Sequence, residues 1–267
     1  MRDATVAGGT ATLQPRGVGE LLGAAFGLYR RYWRTLLAIA AIVVVPLTLL
    51  QHLLGDGLRS SAEVTRNGVV VSTSVWAAST ASLLAALVAT LGQLVLTGAM
   101  TRAVAGEAAG ETADVRESYR FGLARLGPIL LVSLLVGLAT LAGFVVLVLP
   151  GIYIGVRLAV AVEALVVEGR RGRRAVARSW SLAKGHWWHA FGTLVVASLL
   201  SGVASVVLTV PFADAGWVAR GLADAVARLL TLPYVALVGI LLYLDLRTRK
   251  EGLSLDALRA DLRASSA

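Results

Sequence analysis

The 267-residue chain is too apolar for an ordinary soluble domain, with 57% hydrophobic residues, 15% charged residues and a formal net charge of +9. Soluble domains are typically about 45–50% apolar and about 25% charged. Cysteine is absent, which excludes disulfide frameworks, thiolate metal sites and cysteine nucleophiles. The basic residues lie in short segments between apolar runs. This placement favours a membrane protein with positively charged cytoplasmic loops and argues against a nucleic-acid partner.

Six apolar runs are long enough to cross about 30 Å of hydrocarbon as helices. In chain order they are residues 35–54, 76–103, 128–149, 151–168, 190–210 and 225–246. Leu149-Pro150-Gly151 is predicted to form a tight hairpin turn between the third and fourth runs. The predicted fold is an all-α membrane protein with six transmembrane helices, because lipid requires helices or closed barrels to satisfy the backbone polar groups.

The runs divide the chain into three parts. A flexible lead covers residues 1–17, the six-span membrane domain covers 18–252, and a short cytoplasmic tail covers 253–267. In the tail, Ser254 can cap a short helix. The apolar stripe of that helix consists of Leu255, Leu258 and Leu262.

The distribution of basic residues predicts the orientation. Twenty of the 25 Lys and Arg residues fall in the lead, the second-to-third and fourth-to-fifth loops, and the tail. Short cytoplasmic segments carry such an excess, so both termini are predicted to be cytoplasmic in a multi-pass protein of the plasma membrane. The remaining five basic residues are Arg59, Arg66, Arg157, Arg220 and Arg228.

Three similar stretches precede the odd-numbered spans, at residues 26–30 (FGLYR), 121–125 (FGLAR) and 180–184 (WSLAK). Each has an aromatic residue, a small residue, Leu, any residue and a basic residue, within a stretch typical of an interfacial amphipathic helix. One interpretation is three repeats, each an interfacial helix followed by a two-span hairpin. The other is that any cytoplasmic approach to a span collects aromatics and arginines, because the interface favours both.

Basic side chains in these segments are candidate contacts for anionic lipid headgroups. They are Arg30, Arg31, Arg125, Arg178, Lys184, Arg247, Arg249 and Lys250. Amphipathic tryptophan rings are candidate interfacial anchors. They are Trp33, Trp180, Trp187 and Trp188. The predicted partners are therefore membrane lipids, most of all anionic ones.

Two charged residues lie inside the fourth predicted span, Arg157 and Glu163. On an ideal helix they point about 120° apart and differ by about 9 Å in depth, so they are poor partners for each other. Charges at such depth often mark the path of a substrate, ion or proton. The alternative is that Arg157 extends outward, toward the outer interface, while Glu163 lies close enough to the cytoplasm to be hydrated.

Several motifs resemble those of an actinobacterial membrane family usually labelled glycerophosphoryl diester phosphodiesterase membrane domain. The matching segments are 16–22 (RGVGELL), 28–33 (LYRRYW), 149–153 (LPGIY), 156–157 (VR), 168–169 (EG), 177–182 (ARSWSL), Gly185, Trp187-Trp188, 241–247 (LLYLDLR) and 249–252 (RKEG). The resemblance covers almost the whole chain. Glu163, where the family leads us to expect proline or an apolar residue, and Leu244, where it often has an aromatic, depart from the pattern.

The family label does not imply an activity for this chain. Catalysis in the namesake resides in a separate soluble barrel with acidic residues and histidines around a metal, and such a region is not found in this sequence. His186 and His189 share a helical face but have no acidic cluster nearby in sequence, which favours interfacial anchoring over metal binding.

The sequence therefore predicts a non-catalytic membrane module that binds lipid or a protein partner and needs no cofactor. The alternative is a small-solute or ion transporter that uses Arg157 and Glu163 inside the bundle. Helix faces made of small residues are compatible with a monomer and with a homo-oligomer, since they serve packing within and between chains equally well.

Overall fold

A computed structural model describes residues 14–52, 63–66, 69–72, 75–109 and 114–266. Its helices are α1 (Val18–His52), α2 (Val75–Ala109), α3 (Val115–Ala124), α4 (Leu126–Val146), α5 (Val148–Leu158), α6 (Ala161–Glu168), α7 (Arg173–Leu182), α8 (Trp187–Thr209), α9 (Trp217–Glu251) and α10 (Leu255–Ser266). A 3₁₀ turn (Val210–Phe212) follows α8. Between α1 and α2, strands β1 (Glu63–Arg66) and β2 (Val69–Ser72) form a small antiparallel hairpin that the sequence analysis did not predict.

Five helical segments are long and apolar enough to cross a membrane, which confirms the predicted class. They are α1, α4, α5 together with α6, α8 together with its 3₁₀ turn, and α9. The chain is an all-α membrane protein. The second predicted span, residues 76–103, falls on α2, where many side chains lie outside the described residues. A total of six spans therefore stays a prediction.

Short helical segments precede the odd-numbered spans. Helix α1 is kinked at Tyr32, whose φ of −113° and ψ of 18° are non-helical, so its first turns are set apart from the apolar run. Helices α3 and α7 are separate ten-residue helices ahead of α4 and α8. Both the three-repeat interpretation and the simpler one predict this arrangement. The position of these segments in the membrane interface stays a prediction.

The hairpin between the third and fourth spans turns at Leu147, whose φ of −166° and ψ of 160° are extended. The turn predicted at Leu149-Pro150-Gly151 is therefore misplaced, because Pro150 lies in the first turn of α5. Proline fits there since the first N–H groups of a helix have no intrahelical partner. The two arms approach closely: a Cβ built on Gly143 would lie 2.9 Å from the Cα of Gly151.

The fourth span is broken rather than continuous. Helix α5 ends at Leu158, and Val160 has non-helical angles of −107° and 23° before α6 begins. The sequence predicts one ideal helix from Arg157 to Glu163. Because the helix is broken between them, the predicted angle of about 120° and depth difference of about 9 Å between the two side chains do not apply. The break leaves Arg157 in the last turn of α5 and Glu163 in the first turn of α6. The last turn of a helix favours a positive charge and the first turn a negative one, so both side chains lie at helix ends that favour their charge.

Burial is concentrated at one end of the bundle. We call it the basic end; it holds α6, α7, α10 and the last turns of α9. There α9 is buried from Ile240 to Thr248 and packs against α1 and α8. At the opposite end the α4–α5 turn is open, with Val145 79% and Leu149 78% exposed. Such exposure is costly in water and favourable in lipid, which fits a membrane-embedded surface.

A second hydrophobic cluster fixes the junction of α3 and α4 against α6 and α7. Its buried members are Ile129, Val132, Ala161, Leu165, Val166 and Ala175, and Phe121 packs at its edge. This cluster brings the α6–α7 loop close to the start of α4.

Candidate functional site

Glu168, at the end of α6, organises a network of charges at the basic end. Tyr243 donates a hydrogen bond to its Oε1 over 2.6 Å, and Arg178 Nε donates to the same oxygen over 2.8 Å. Arg247 Nε lies 3.5 Å away. The Glu168 side chain is only 6% exposed, so these donors replace the water that its carboxylate would otherwise need.

The network continues to two further carboxylates. Arg178 Nη2 donates to Glu251 Oε2 over 2.7 Å, and Arg247 Nη1 donates to Asp261 Oδ2 over 2.7 Å. The hydrogen bonds to Glu251, and then those to Glu168, raise the pKa of Arg178. We call these five residues, Glu168, Arg178, Arg247, Glu251 and Asp261, the paired cluster. It joins α6, α7, α9 and α10.

Asp245 is a second internal acceptor, on the buried part of α9. Arg249 Nε donates to it over 2.7 Å, and the backbone N–H of Arg16 donates over 2.7 Å. His189 Nε2 lies 2.9 Å from its Oδ2. The histidine that the sequence analysis assigned to interfacial anchoring therefore packs against an aspartate inside the bundle.

Four of the candidate lipid contacts have partners within the chain. Arg178, Arg247 and Arg249 are held by carboxylates. Lys250 donates to the backbone carbonyls of Ser181 and Lys184. Lipid contact stays a prediction for these four residues. Four other candidates are exposed or half-buried, and lipid contact stays a prediction for them. They are Arg30, Arg31, Arg125 and Lys184.

The exposed arginines of α1, α3 and α7 differ from those of α9. They are Arg30, Arg31, Arg34, Arg116, Arg120, Arg173 and Arg174. Within the described part of the chain, none of these seven pairs with a carboxylate. Their charge is therefore presented outward from the segments that precede the spans.

Three further arginines converge where α2, α3 and α4 meet the α6–α7 loop. The Cζ atoms of Arg102 and Arg125 lie 6.0 Å and 4.6 Å from the centre of the Phe121 ring. Arg171 is in the loop, and its charge bears on Arg125. We call Arg102, Arg125 and Arg171 the arginine cluster. Burial, and then the charges of Arg171 and Arg102, lower the pKa of Arg125.

The candidate tryptophan anchors fall into two pairs. Trp33 is 47% exposed and Trp188 is 77% exposed. Trp180 and Trp187 instead contact Tyr153 of α5, with ring centres 6.0 Å and 5.8 Å away. Membrane anchoring stays a prediction for all four, and the second pair also joins the α7–α8 segment to α5.

Arg157 extends toward the basic end and does not meet Glu163. Its guanidinium lies 4.4 Å from the Trp180 ring centre and 5.3 Å from that of Tyr153. Its Nη1 donates to the backbone carbonyl of Trp180 over 3.2 Å. Ser179 Oγ donates to the Arg157 carbonyl over 2.9 Å, which satisfies one backbone acceptor at the end of α5. Arg157 therefore holds α7 onto the broken span.

Glu163 is the less satisfied of the two span charges. It is 9% exposed, and its Oε2 is buried with no hydrogen-bond partner among the described residues. Its Oε1 faces α9 at Gly239, where a Cβ would come within 2.8 Å. A larger residue at position 239 would push this carboxyl group aside, so Gly239 gives the Glu163 side chain its space beside α9.

A polar pocket lies at the opposite end of the bundle. It encloses about 270 Å³ between α1, the 3₁₀ turn and α9, and His52, Arg220 and Asp224 line it. Asp224 Oδ2 lies 3.3 Å from both His52 Nε2 and Arg228 Nη2. No group of three potential metal-binding side chains occurs in the described ranges.

Local spacing in the sequence indicates two of the ion pairs at the basic end, because Asp245 with Arg249 and Arg247 with Glu251 each lie four residues apart. It does not indicate the roles of Glu168 and Asp261. The other partners come from distant parts of the chain, such as Arg178 with Glu251.

Fold and site together define an all-α multi-span membrane protein with a charge-paired core at one end. Comparison with profiles of known families, with curated proteins and with solved structures finds no match. The resemblance to the glycerophosphoryl diester phosphodiesterase membrane-domain family therefore stays a prediction.

Proposed function

We propose that this chain is a non-catalytic membrane module that binds anionic phospholipid at the cytoplasmic face of the plasma membrane. One observation carries the proposal. The exposed arginines of α1, α3 and α7 have no carboxylate partner in the described part of the chain, whereas Arg247 and Arg249 of α9 have such partners. Unneutralised arginines on segments that lead into spans are suited to phosphate headgroups.

The number of exposed arginines determines how strongly this surface attracts anionic lipid. A basic residue near an anionic surface contributes about 1 kcal/mol of attraction, so several together give a marked preference for anionic over zwitterionic lipid. The same arginines would also oppose movement of this end across the membrane. Lipid selectivity and cytoplasmic termini are thus two consequences of one charge distribution.

Lipid selectivity can be measured by electron paramagnetic resonance of spin-labelled lipids around the reconstituted protein. Neutralising Arg30, Arg31, Arg173 and Arg174 to Gln should lower the preference for phosphatidylglycerol over phosphatidylcholine several-fold, the effect of about one lost charge contact per lipid at about 1 kcal/mol. The control is Arg228→Gln, which removes an arginine at the opposite end. Wild-type protein without any anionic preference would overturn the proposal.

The orientation has its own test, because the chain contains no cysteine. A single cysteine at exposed Ala213, after the 3₁₀ turn, should react with an impermeant maleimide in intact cells. A single cysteine at exposed Arg263, on α10, should react only after permeabilisation. The reverse pattern would exclude cytoplasmic termini.

A second candidate function is proton-coupled transport of a small solute. The broken fourth span and the unpartnered Oε2 of Glu163 favour it, since broken spans and buried acids are features of transport paths. Purified protein in liposomes should then move protons down a gradient, and Glu163→Gln should abolish the flux. Exposed Glu117→Gln is the control. Equal flux in both variants, or none in the wild type, would remove this candidate.

A further inference from the structure

The carboxyl end of α7 holds two cations through its backbone carbonyls. Arg157 Nη1, from α5, donates to the carbonyl of Trp180 over 3.2 Å. Lys250 Nζ, from α9, donates to the carbonyl of the next residue, Ser181, and to that of Lys184 over 3.3 Å. Because Trp180 and Ser181 are consecutive residues in the last turn of one helix, the two cations lie close together.

The positive charge of these two side chains is not neutralised by carboxylates in the described part of the chain. Their hydrogen bonds there go to neutral carbonyl oxygens. The carboxylates that flank Lys250 on α9 belong to other cations. Asp245 pairs with Arg249 over 2.7 Å, and Glu251 pairs with Arg178. A helix carboxyl end carries about half a negative charge, which is less than the two positive charges held here.

Both cations also have unused hydrogen-bond donors. Arg157 is only 6% exposed, and its Nε is buried with no hydrogen-bond partner among the described residues. Lys250 is exposed, and two carbonyls accept from an ammonium group that has three donors. Buried donors are normally satisfied, so an unused one at a positively charged position indicates an acceptor from outside the chain.

We infer that Arg157 and Lys250 bind a single phosphate group, of a phospholipid headgroup or of a soluble phosphate ester, at the carboxyl end of α7. This inference rests on the proposed function and adds to it a defined position and a stoichiometry of one. Charge-assisted hydrogen bonds from guanidinium and ammonium groups to phosphate oxygens are strong. The rings that cover Arg157, Tyr153 and Trp180, are 42% and 38% exposed, as is typical of amphipathic rings at the level of lipid headgroups.

Native mass spectrometry of the full chain in detergent, with equal phosphatidylglycerol and phosphatidylcholine, measures the site directly. Wild-type protein should retain one phosphatidylglycerol per chain, because choline would bring a third positive charge to the site. Lys250→Gln keeps a donor for the carbonyls but removes the charge, so it should lower that retention about tenfold, the loss expected for one charged hydrogen bond. Arg173→Gln is the matched control, because it removes an exposed arginine from the opposite end of α7.

Substitutions of Arg157 test the buried side of the site. Arg157→Lys keeps the positive charge but not the paired donors, so retention should fall several-fold. Arg157 also holds α7 onto α5, so thermal unfolding is measured for every variant. Lys250→Gln should unfold at the wild-type temperature, because its side chain is exposed. A loss of lipid in that variant is then not a loss of folding.

The outcomes separate the site from the wider surface. Equal retention in Lys250→Gln and Arg173→Gln would overturn the site, while spin-label selectivity would still support the proposed function. Absence of both retained lipid and spin-label selectivity would overturn both.

The source of the phosphate is decided by competition. Glycerol 3-phosphate added at millimolar concentration should leave the lipid in place if the site holds a headgroup together with its chains. Displacement of the lipid would assign the site to a soluble phosphate ester. Either result supports a phosphate site, and failure of both ligands to bind wild-type protein would exclude one.

Discussion

The paired cluster and the arginine cluster lie at the same end of one bundle and use the same side chain in opposite ways. In the paired cluster, arginines meet one buried carboxylate, Glu168, and two half-buried ones, and four helices are joined as a result. In the arginine cluster, Arg102 lies 3.9 Å from an exposed glutamate, and Arg125 and Arg171 form no ion pair with a carboxylate in the described part of the chain. The difference shows that counting basic residues predicts orientation, whereas only their partners distinguish structural arginines from those available to a ligand.

The largest effect is expected from breaking the paired cluster. Glu168→Gln removes the charge on which Arg178 and Arg247 converge, so two guanidiniums lose their buried counter-ion. Removing one partner of a buried ionic network costs about 3 kcal/mol or more. The free energy of unfolding, measured by denaturation with sodium dodecyl sulfate from mixed micelles, should fall by that amount.

The matched control for this experiment is Glu117→Gln, because its side chain is 67% exposed and makes one long contact. Its effect on the free energy of unfolding should stay within about 0.5 kcal/mol. If both variants lose the same stability, the paired cluster does not hold the helices together and the contrast between the clusters fails.

A smaller effect is expected from disturbing the packing beneath the arginine cluster. Gly122→Ala introduces a methyl group that overlaps the carbonyl of Val95 and approaches the Ala99 nitrogen to 3.2 Å. Backbone atoms cannot rotate away, so the free energy of unfolding should fall by about 1–3 kcal/mol.

Gly127→Ala, at the start of α4, is the corresponding control. A Cβ there meets nothing within 4 Å. Alanine is the better helix former, so stability should stay constant or rise by up to about 1 kcal/mol. An equal loss of stability in both variants would show that the close α2–α3 contact at Gly122 does not hold α3 in place.

Salt should distinguish the exposed arginines of α1, α3 and α7 from the paired cluster without any substitution. Raising NaCl from about 0.1 M to about 1 M shortens the Debye length from about 10 Å to about 3 Å. Spin-label selectivity, which depends on exposed arginines, should decrease markedly, whereas the free energy of unfolding should change little because the paired cluster is buried. A parallel loss of both quantities would mean that the paired cluster is as accessible to ions as the surface.

The sequence predicted the fold class because apolar runs long enough to cross lipid admit few structures. It misplaced the hairpin turn, since Pro150 is compatible with a first helical turn as well as with a turn between helices. It missed the break after Leu158, where neither glycine nor proline interrupts the run. The long-range pairing of the site residues was missed for another reason: Arg178 and Glu251 are 73 positions apart, and no local spacing indicates such a pair.

The smallest effect is expected at the opposite end of the bundle, where Arg228 and Asp224 form a pair one helical turn apart. Their side chains are 50% and 32% exposed, and the Nη2–Oδ2 distance is 3.3 Å. Water competes with such a pair, so Arg228→Gln should lower the free energy of unfolding by no more than about 0.5 kcal/mol. A loss as large as that of Glu168→Gln would contradict the view that burial, rather than the presence of an ion pair, makes the basic end the stable one.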